Sequence, residues 1–214
     1  MPNLKAILTL VRRELVLRDE LREQSQGDMQ KVTSLSKHAI LLIHQKRLEE
    51  AEKLVARAGE TLSKLWDTSA AHPDIIYTGM FSAALQEYSE ANIFLKLLEE
   101  SRFTTPKEIQ VPSTDYVLGL ADVIGECRRL VLDALREGNT KKAENCLHTM
   151  DEIFIELMGM DEAYTLVPGL RRKCDVARKL IEITRGDVTQ EIRRSMLEEH
   201  LKKVEKNLKK PRRT

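Results

Sequence analysis

Residues 28–66, DMQKVTSLSKHAILLIHQKRLEEAEKLVARAGETLSKLW, have Gly59 as their one interior weak point for a helix. The stretch predicts one long helix from Asp28 to Trp66, and the rest of the chain has the same texture. Ala, Glu, Lys, Leu and Arg supply 103 of 214 residues, aromatics only 4%, with 9 Gly and 6 Pro. That is the profile of helices packed on one another, and it excludes a sheet protein. Several predicted helices exceed 20 residues, which favours an elongated bundle whose apolar surface is covered by other subunits.

Working outward, turn signals divide the chain into about seven helices. The first runs from Pro2 to about Gln24 and stops at Ser25-Gln26-Gly27. The third follows His72-Pro73 and reaches about Glu100. Thr105-Pro106-Lys107-Glu108 reads as a capping box that opens a short helix. Another starts at Pro112-Ser113-Thr114-Asp115 and stops at Gly138. Asn139-Thr140 caps the next, which fades near Gly159. Pro168-Gly169 precedes a helix ending at Gly186, and Asp187-x-x-Gln190 opens the last. No repeat or linker suggests a second domain, so residues 1–208 read as a single helical domain and 209–214 as a basic, disordered tail.

The formal net charge of +1 conceals a division. Residues 1–66 carry +3, residues 67–165 carry −10 and residues 166–214 carry +8. Basic flanks suit a polyanion and an acidic middle suits cations, although charged, solvated helix faces give the same counts. No apolar run exceeds about six residues, too short to span a bilayer, so no membrane role is expected. The N-terminus is charged from Lys5 onward, unlike a signal peptide. Cys127, Cys146 and Cys174 fit no disulfide framework or zinc spacing and suit a reducing cytoplasm.

Phosphate-cradling glycine loops are absent, as are H-E-x-x-H and the Glu-x-x-His pattern of di-iron bundles. What stands out is carboxylates in the wrong place. On a helical wheel of Met80 to Glu100, Ser89, Asn92, Lys96 and Glu100 define a polar face. Glu87 and Glu90 fall opposite, among Ala83, Ala84, Ala91, Phe94 and Leu98, and sit one turn apart. Two acids on a core azimuth need positive compensation. A hard divalent cation such as Mg²⁺ or Mn²⁺ would supply it, and so would a Glu–Arg network between helices. Asp151 lies at the rim of the apolar arc of its own helix. Asp122, Glu126 and Asp133 read as a solvated or salt-bridged stripe.

The first helix shows the converse anomaly. The stripe Leu4, Leu8, Val11, Leu15 continues as Arg18 and Arg22. Inward-facing arginines either pair with buried acids or face a ligand such as phosphate, which their planar fork suits. Lys31 and Lys37 lie further along.

Two stretches resemble the translin family, closest to its translin-associated factor X branch. They are Gln86-Glu87-Tyr88-Ser89-Glu90-Ala91 and Thr114-Asp115-Tyr116-Val117-Leu118-Gly119-Leu120-Ala121-Asp122, the latter followed by Gly125-Glu126-Cys127-Arg128-Arg129. Leu35 to His44, Leu170-Arg171-Arg172-Lys173 and Arg185-Gly186 echo other helices of that family, so the resemblance spans about residues 10–195. It implies an all-α, translin-like bundle of about seven long helices that assembles into closed oligomers, typically octamers, with RNA inside; a homo-oligomer is expected because one chain carries both the acidic and the basic elements. It also implies Mg²⁺-dependent endoribonuclease chemistry, with the family's two catalytic glutamates at Glu87 and Glu90. The family's catalytic aspartate falls at Asp151 by alignment, in a departed sequence context, and Glu126 matches a position favouring a structural role.

The expectation is a metal-dependent endoribonuclease in which Glu87, Glu90 and Asp151 hold Mg²⁺ or Mn²⁺. Arg18, Arg22, Lys31 and Lys37 would guide the RNA backbone. The alternatives are a translin-like RNA or single-stranded DNA binder without turnover, and a purely structural assembly protein.

Overall fold

The structure, a computed structural model, describes residues 3–208, with the backbone alone for Asn207 and Leu208. The tail 209–214 and the predicted helix start at Pro2 lie outside the described residues. Among those described there is no strand and there are eight helices: α1 (Leu4–His44), α2 (Leu48–Ala71), α3 (Pro73–Ile76), α4 (Gly79–Glu100), α5 (Ser113–Arg136), α6 (Thr140–Met158), α7 (Asp161–Leu166) and α8 (Leu170–Leu208). The all-α expectation is met. None of these helices is long and apolar enough to cross a membrane.

Four predicted boundaries move, each for a physical reason. The helix predicted to run from His72-Pro73 to about Glu100 is interrupted at Tyr77-Thr78, where the Thr78 side chain caps a new start by accepting from Phe81 N–H. The stop at Ser25-Gln26-Gly27 does not occur, and α1 runs straight through it. A glycine inside a helix costs only about 1 kcal/mol relative to alanine, while Ser25, Met29 and Val32 around it are buried. Gly186 fails to end α8 in the same way, with Thr184 and Val188 buried on either side of it. The helix predicted to run unbroken from Asp28 to Trp66 instead breaks at residues 45–47. Lys46 adopts a left-handed φ of 62°. Arg47 N–H donates to Leu42 O at 3.0 Å and Lys46 N–H to Ile43 O at 2.9 Å, which together form a Schellman stop. Gly138, with φ 72°, makes the same arrangement after α5.

The Thr105 capping box forms its reciprocal bonds, Glu108 Oε2 accepting from Thr105 N–H at 2.5 Å and Thr105 Oγ1 from Glu108 N–H at 3.3 Å. It closes turns rather than a helix. The Thr105 backbone N–H pulls the Glu108 carboxyl down to about 2.

The chain divides into two units, one ending at Leu120 and one beginning at Ala121, within α5. In the first, α1 and α2 are joined by the short stop at Lys46 and lie antiparallel. Both pack on α4. Met29 meets Thr78, Lys37 meets Glu87 and the His44 ring meets Phe94, so α1 and α4 run in the same direction. Ala51, Val55, Ala58, Leu62 and Leu65 make the buried face of α2. Every residue of α1 before Arg18 is exposed, including Leu4, Leu8, Val11 and Leu15.

In the second unit α6 and α7 pack on α8. The core there includes Ile124, Cys127, Val131, Met150, Leu157, Leu170, Cys174 and Ile181. Arg128 of α5 holds α8 by donating to Thr184 Oγ1 and to Leu180 O, the latter at 3.4 Å, and pairs with Asp187. Asp122 is likewise salt-bridged, to Lys173, and Asp133 to Arg136.

Candidate functional site

Thr78 caps α4, its side chain accepting from Phe81 N–H. From Tyr88 to Leu95 the helix is buried on every side. The polar face predicted on this helix is therefore corrected: Ser89 and Asn92 are buried. Their polar atoms are satisfied within the helix, Ser89 Oγ–H donating to Leu85 O and Asn92 Nδ2–H to Tyr88 O, both at 2.8 Å. Short side chains that bond back to the preceding turn enter a core without stranding a donor.

Glu90 lies in this buried stretch with 8% of its surface exposed. Glu87, one turn earlier, keeps 26% of its side chain exposed. The turn they share is fixed from behind by α5. A Cβ on Gly119 would lie 2.6 Å from Gln86 O, 2.7 Å from Ser89 Cβ and 3.0 Å from Glu90 N, so only glycine permits this approach. Asp115 of α5 accepts from the Ser82 hydroxyl, which in turn accepts from Gln86 Nε2–H at 3.1 Å. The two family-like motifs of the sequence thus meet here, back to back. On another side Gly59 of α2 leaves room for the Tyr88 ring, whose hydroxyl oxygen a Cβ there would approach to 2.8 Å. Burial pushes the Tyr88 phenol above its ordinary value.

Lys37 of α1 meets this turn from the front, its Nζ 3.2 Å from Glu87 Oε1. It also lines a groove of about 520 Å³ between α1 and α4 with Gln30, Thr33, Ser34, His38, Met80 and Ala83. The other basic candidates lie elsewhere. Arg18 pairs with Asp74 of α3, and Arg22 pairs with Asp19 on its own helix at 2.9 Å. Neither faces the interior: their side chains are 40% and 59% exposed. The inward reading of that stripe is corrected, because Leu4, Leu8, Val11 and Leu15 stay exposed among the described residues. Lys31 is exposed.

Asp151 lies on α6, in the second unit, and accepts from Arg185 Nη2 at 2.7 Å. Two features of α8 went unread in the sequence. The Arg171 guanidinium stands 5.7 Å from the Tyr164 ring centroid, and that of Arg178 stands 5.8 Å from Phe154. Their spacing of seven residues is a helical signal that could have found them.

Among the described residues no three His, Cys, Asp or Glu side chains gather into a metal cage. Mg²⁺ does not demand one: it is commonly held by one or two carboxylates, with water and substrate phosphate completing the shell. Glu87 and Glu90, an all-oxygen pair one turn apart on a rigid helix, fit that description.

Residues 17–208 match the Translin family. A protein of Methanocaldococcus jannaschii, MJ0175, is 32% identical over 193 residues, spanning 89% of this chain and 85% of its own. The solved complex of AfC3PO with duplex RNA is similar in structure with a TM-score of 0.76 at 34% identity, over 86% of this chain and 95% of that one. Apo-NeC3PO, at 21% identity over 89% of this chain and 98% of its own, shares the fold with a TM-score of 0.77. The match over most of its length and these relatives place the chain: it belongs to the Translin family.

Proposed function

We propose that this protein is a metal-dependent endoribonuclease that binds and cleaves RNA within a closed homo-oligomer, an octamer, in the cytoplasm. The observation that supports this most is the acid pair on α4. Glu90 is 8% exposed and Glu87 stands one turn away. Carboxylates so placed repel each other and are costly to desolvate without positive compensation, which a shared divalent cation supplies. The RNA complex of AfC3PO supports the choice of ligand, and the uncovered leucines of α1 support assembly.

Glu87 and Glu90 would hold Mg²⁺ or Mn²⁺, with Asp151 the third ligand by resemblance. Such an ion supplies an acidified water and stabilises charge on the phosphate. The chain's own part is to fix the donors. Gly119 holds the turn that carries them, and the buried flanks of α4 prevent it from rotating. Arg18, Arg22, Lys31 and Lys37 would contact the RNA backbone without reading bases.

A second reading, an RNA or single-stranded DNA binder without turnover, is favoured by the neutralisation of Glu87 by Lys37. End-labelled RNA separates the two. Cleavage by wild type that EDTA abolishes, and that Glu87→Gln and Glu90→Gln each reduce at least a hundredfold with RNA affinity retained, supports the nuclease. Equal cleavage by all three proteins overturns it.

A further inference from the structure

Lys37 sits between two roles that the sequence kept apart. Its ammonium is 3.2 Å from Glu87 Oε1, yet its side chain is 61% exposed. The backbone beneath it is fixed, because Ser36, Ala39 and Ile40 are buried. The stem alone is therefore free to swing, along the groove it lines with Thr33, Ser34 and His38. The backbone under Glu87 is fixed as well, on the turn that Gly119 clamps, and its side chain is the less exposed of the two, at 26%.

We infer that Lys37 is an exchangeable internal counter-ion: it occupies the Glu87 carboxylate in the resting protein and yields that place to a divalent cation. This rests on the reading of Glu87 as a metal ligand. The chemistry is simple competition. An ammonium is a compact monovalent charge on a four-carbon tether, and like charges repel, so it cannot remain on a carboxylate oxygen that a divalent cation takes. Exchange keeps Glu87 neutralised at every stage, which limits its repulsion of Glu90 one turn away. An arginine here would clamp both carboxylate oxygens and resist leaving. Lys37 is thus a positioning residue, acting on the ion through Glu87.

The test uses the full-length protein and Mn²⁺ alone, with free Mn²⁺ followed by electron paramagnetic resonance. Lys37→Met should bind Mn²⁺ about tenfold more tightly than wild type, the effect of removing one adjacent charge in a water-like dielectric. Lys37→Arg should bind more weakly than wild type. Lys53→Met, which removes an exposed charge from α2, should stay within twofold. Acylation of Lys37 by an N-hydroxysuccinimide ester, read by mass spectrometry, should rise several-fold when Mn²⁺ saturates the protein. Glu87→Gln should raise it without metal. Equal Mn²⁺ affinity of wild type, Lys37→Met and Lys37→Arg, or labelling of Lys37 indifferent to Mn²⁺, overturns the inference and leaves the nuclease reading standing. Wild-type Mn²⁺ affinity in both Glu87→Gln and Glu90→Gln overturns the metal site and this inference with it.

Discussion

Replacing Gly119 with alanine puts a methyl group 2.6 Å from the Gln86 carbonyl oxygen, 2.7 Å from Ser89 Cβ and 3.0 Å from the Glu90 amide nitrogen. Two of these atoms are helix backbone, so no rotamer change relieves the contact. Ordinary van der Waals distance requires the two helices to part by close to an ångström. Overpacking costs about 1–3 kcal/mol and a contact on backbone belongs to the upper part of that range, about 2–3, while the better helix propensity of alanine returns about 1, leaving a net loss of about 1–2 kcal/mol. For a chain of this size that lowers the melting temperature by about 2–8 °C. Urea unfolding followed by circular dichroism at 222 nm, at one fixed protein concentration, measures the loss. Gly27→Ala and Gly186→Ala provide the internal contrast, since a Cβ at either position meets nothing within 4 Å. Each should gain up to about 1 kcal/mol. A Gly119→Ala protein as stable as wild type, with an unchanged urea slope, would refute the close approach and with it the clamped turn under Glu87 and Glu90.

Two other perturbations follow from burial. Burial raises the Cys127 thiol well above its ordinary range. The native state keeps it neutral while the unfolded chain ionises near pH 8.5, so its contribution is intact below that pH and declines as pH rises, by up to about 1.4 kcal/mol per unit. Urea midpoints from pH 7.5 to 10 should fall more steeply in wild type than in Cys127→Ala; parallel curves would count against it. Exposed Leu8 and Leu15 serve assembly in this reading, so Leu8→Glu/Leu15→Glu should lower the native mass while leaving helicity within a few per cent. Unchanged mass in analytical ultracentrifugation would show that another surface joins the subunits.

The sequence carried the fold class because composition and turn chemistry point the same way. Gly138, Asn139 and the Thr105 box make the bonds their residue types suggest. Boundaries failed where one residue overrode its own preference. Lysine rarely adopts the left-handed conformation that Lys46 takes, and Gly27 and Gly186 are held in helices by the packing of their neighbours. In the candidate site, Glu90 was legible because a wheel finds an acid among apolar residues. Ser89 and Asn92 were misread because a wheel cannot see a side chain bonding back to its own helix. The Lys37–Glu87 pair joins residues fifty positions apart, which no local pattern encodes. The wheel showed Asp151 only as a rim residue, its role as a ligand came from resemblance, and its pairing with Arg185 is long-range too.

The bare start of α1 bears on how a newly made chain behaves. Leu4 to Leu17 form about four turns of helix without a single buried residue. Isolated helices of that length are marginal in water, because few hydrogen bonds offset the cost of the first turn. A solitary subunit would therefore carry a fraying arm, and dilution would melt it before the rest. Amide hydrogen exchange along those turns would then serve as a concentration gauge, slow in company and fast alone.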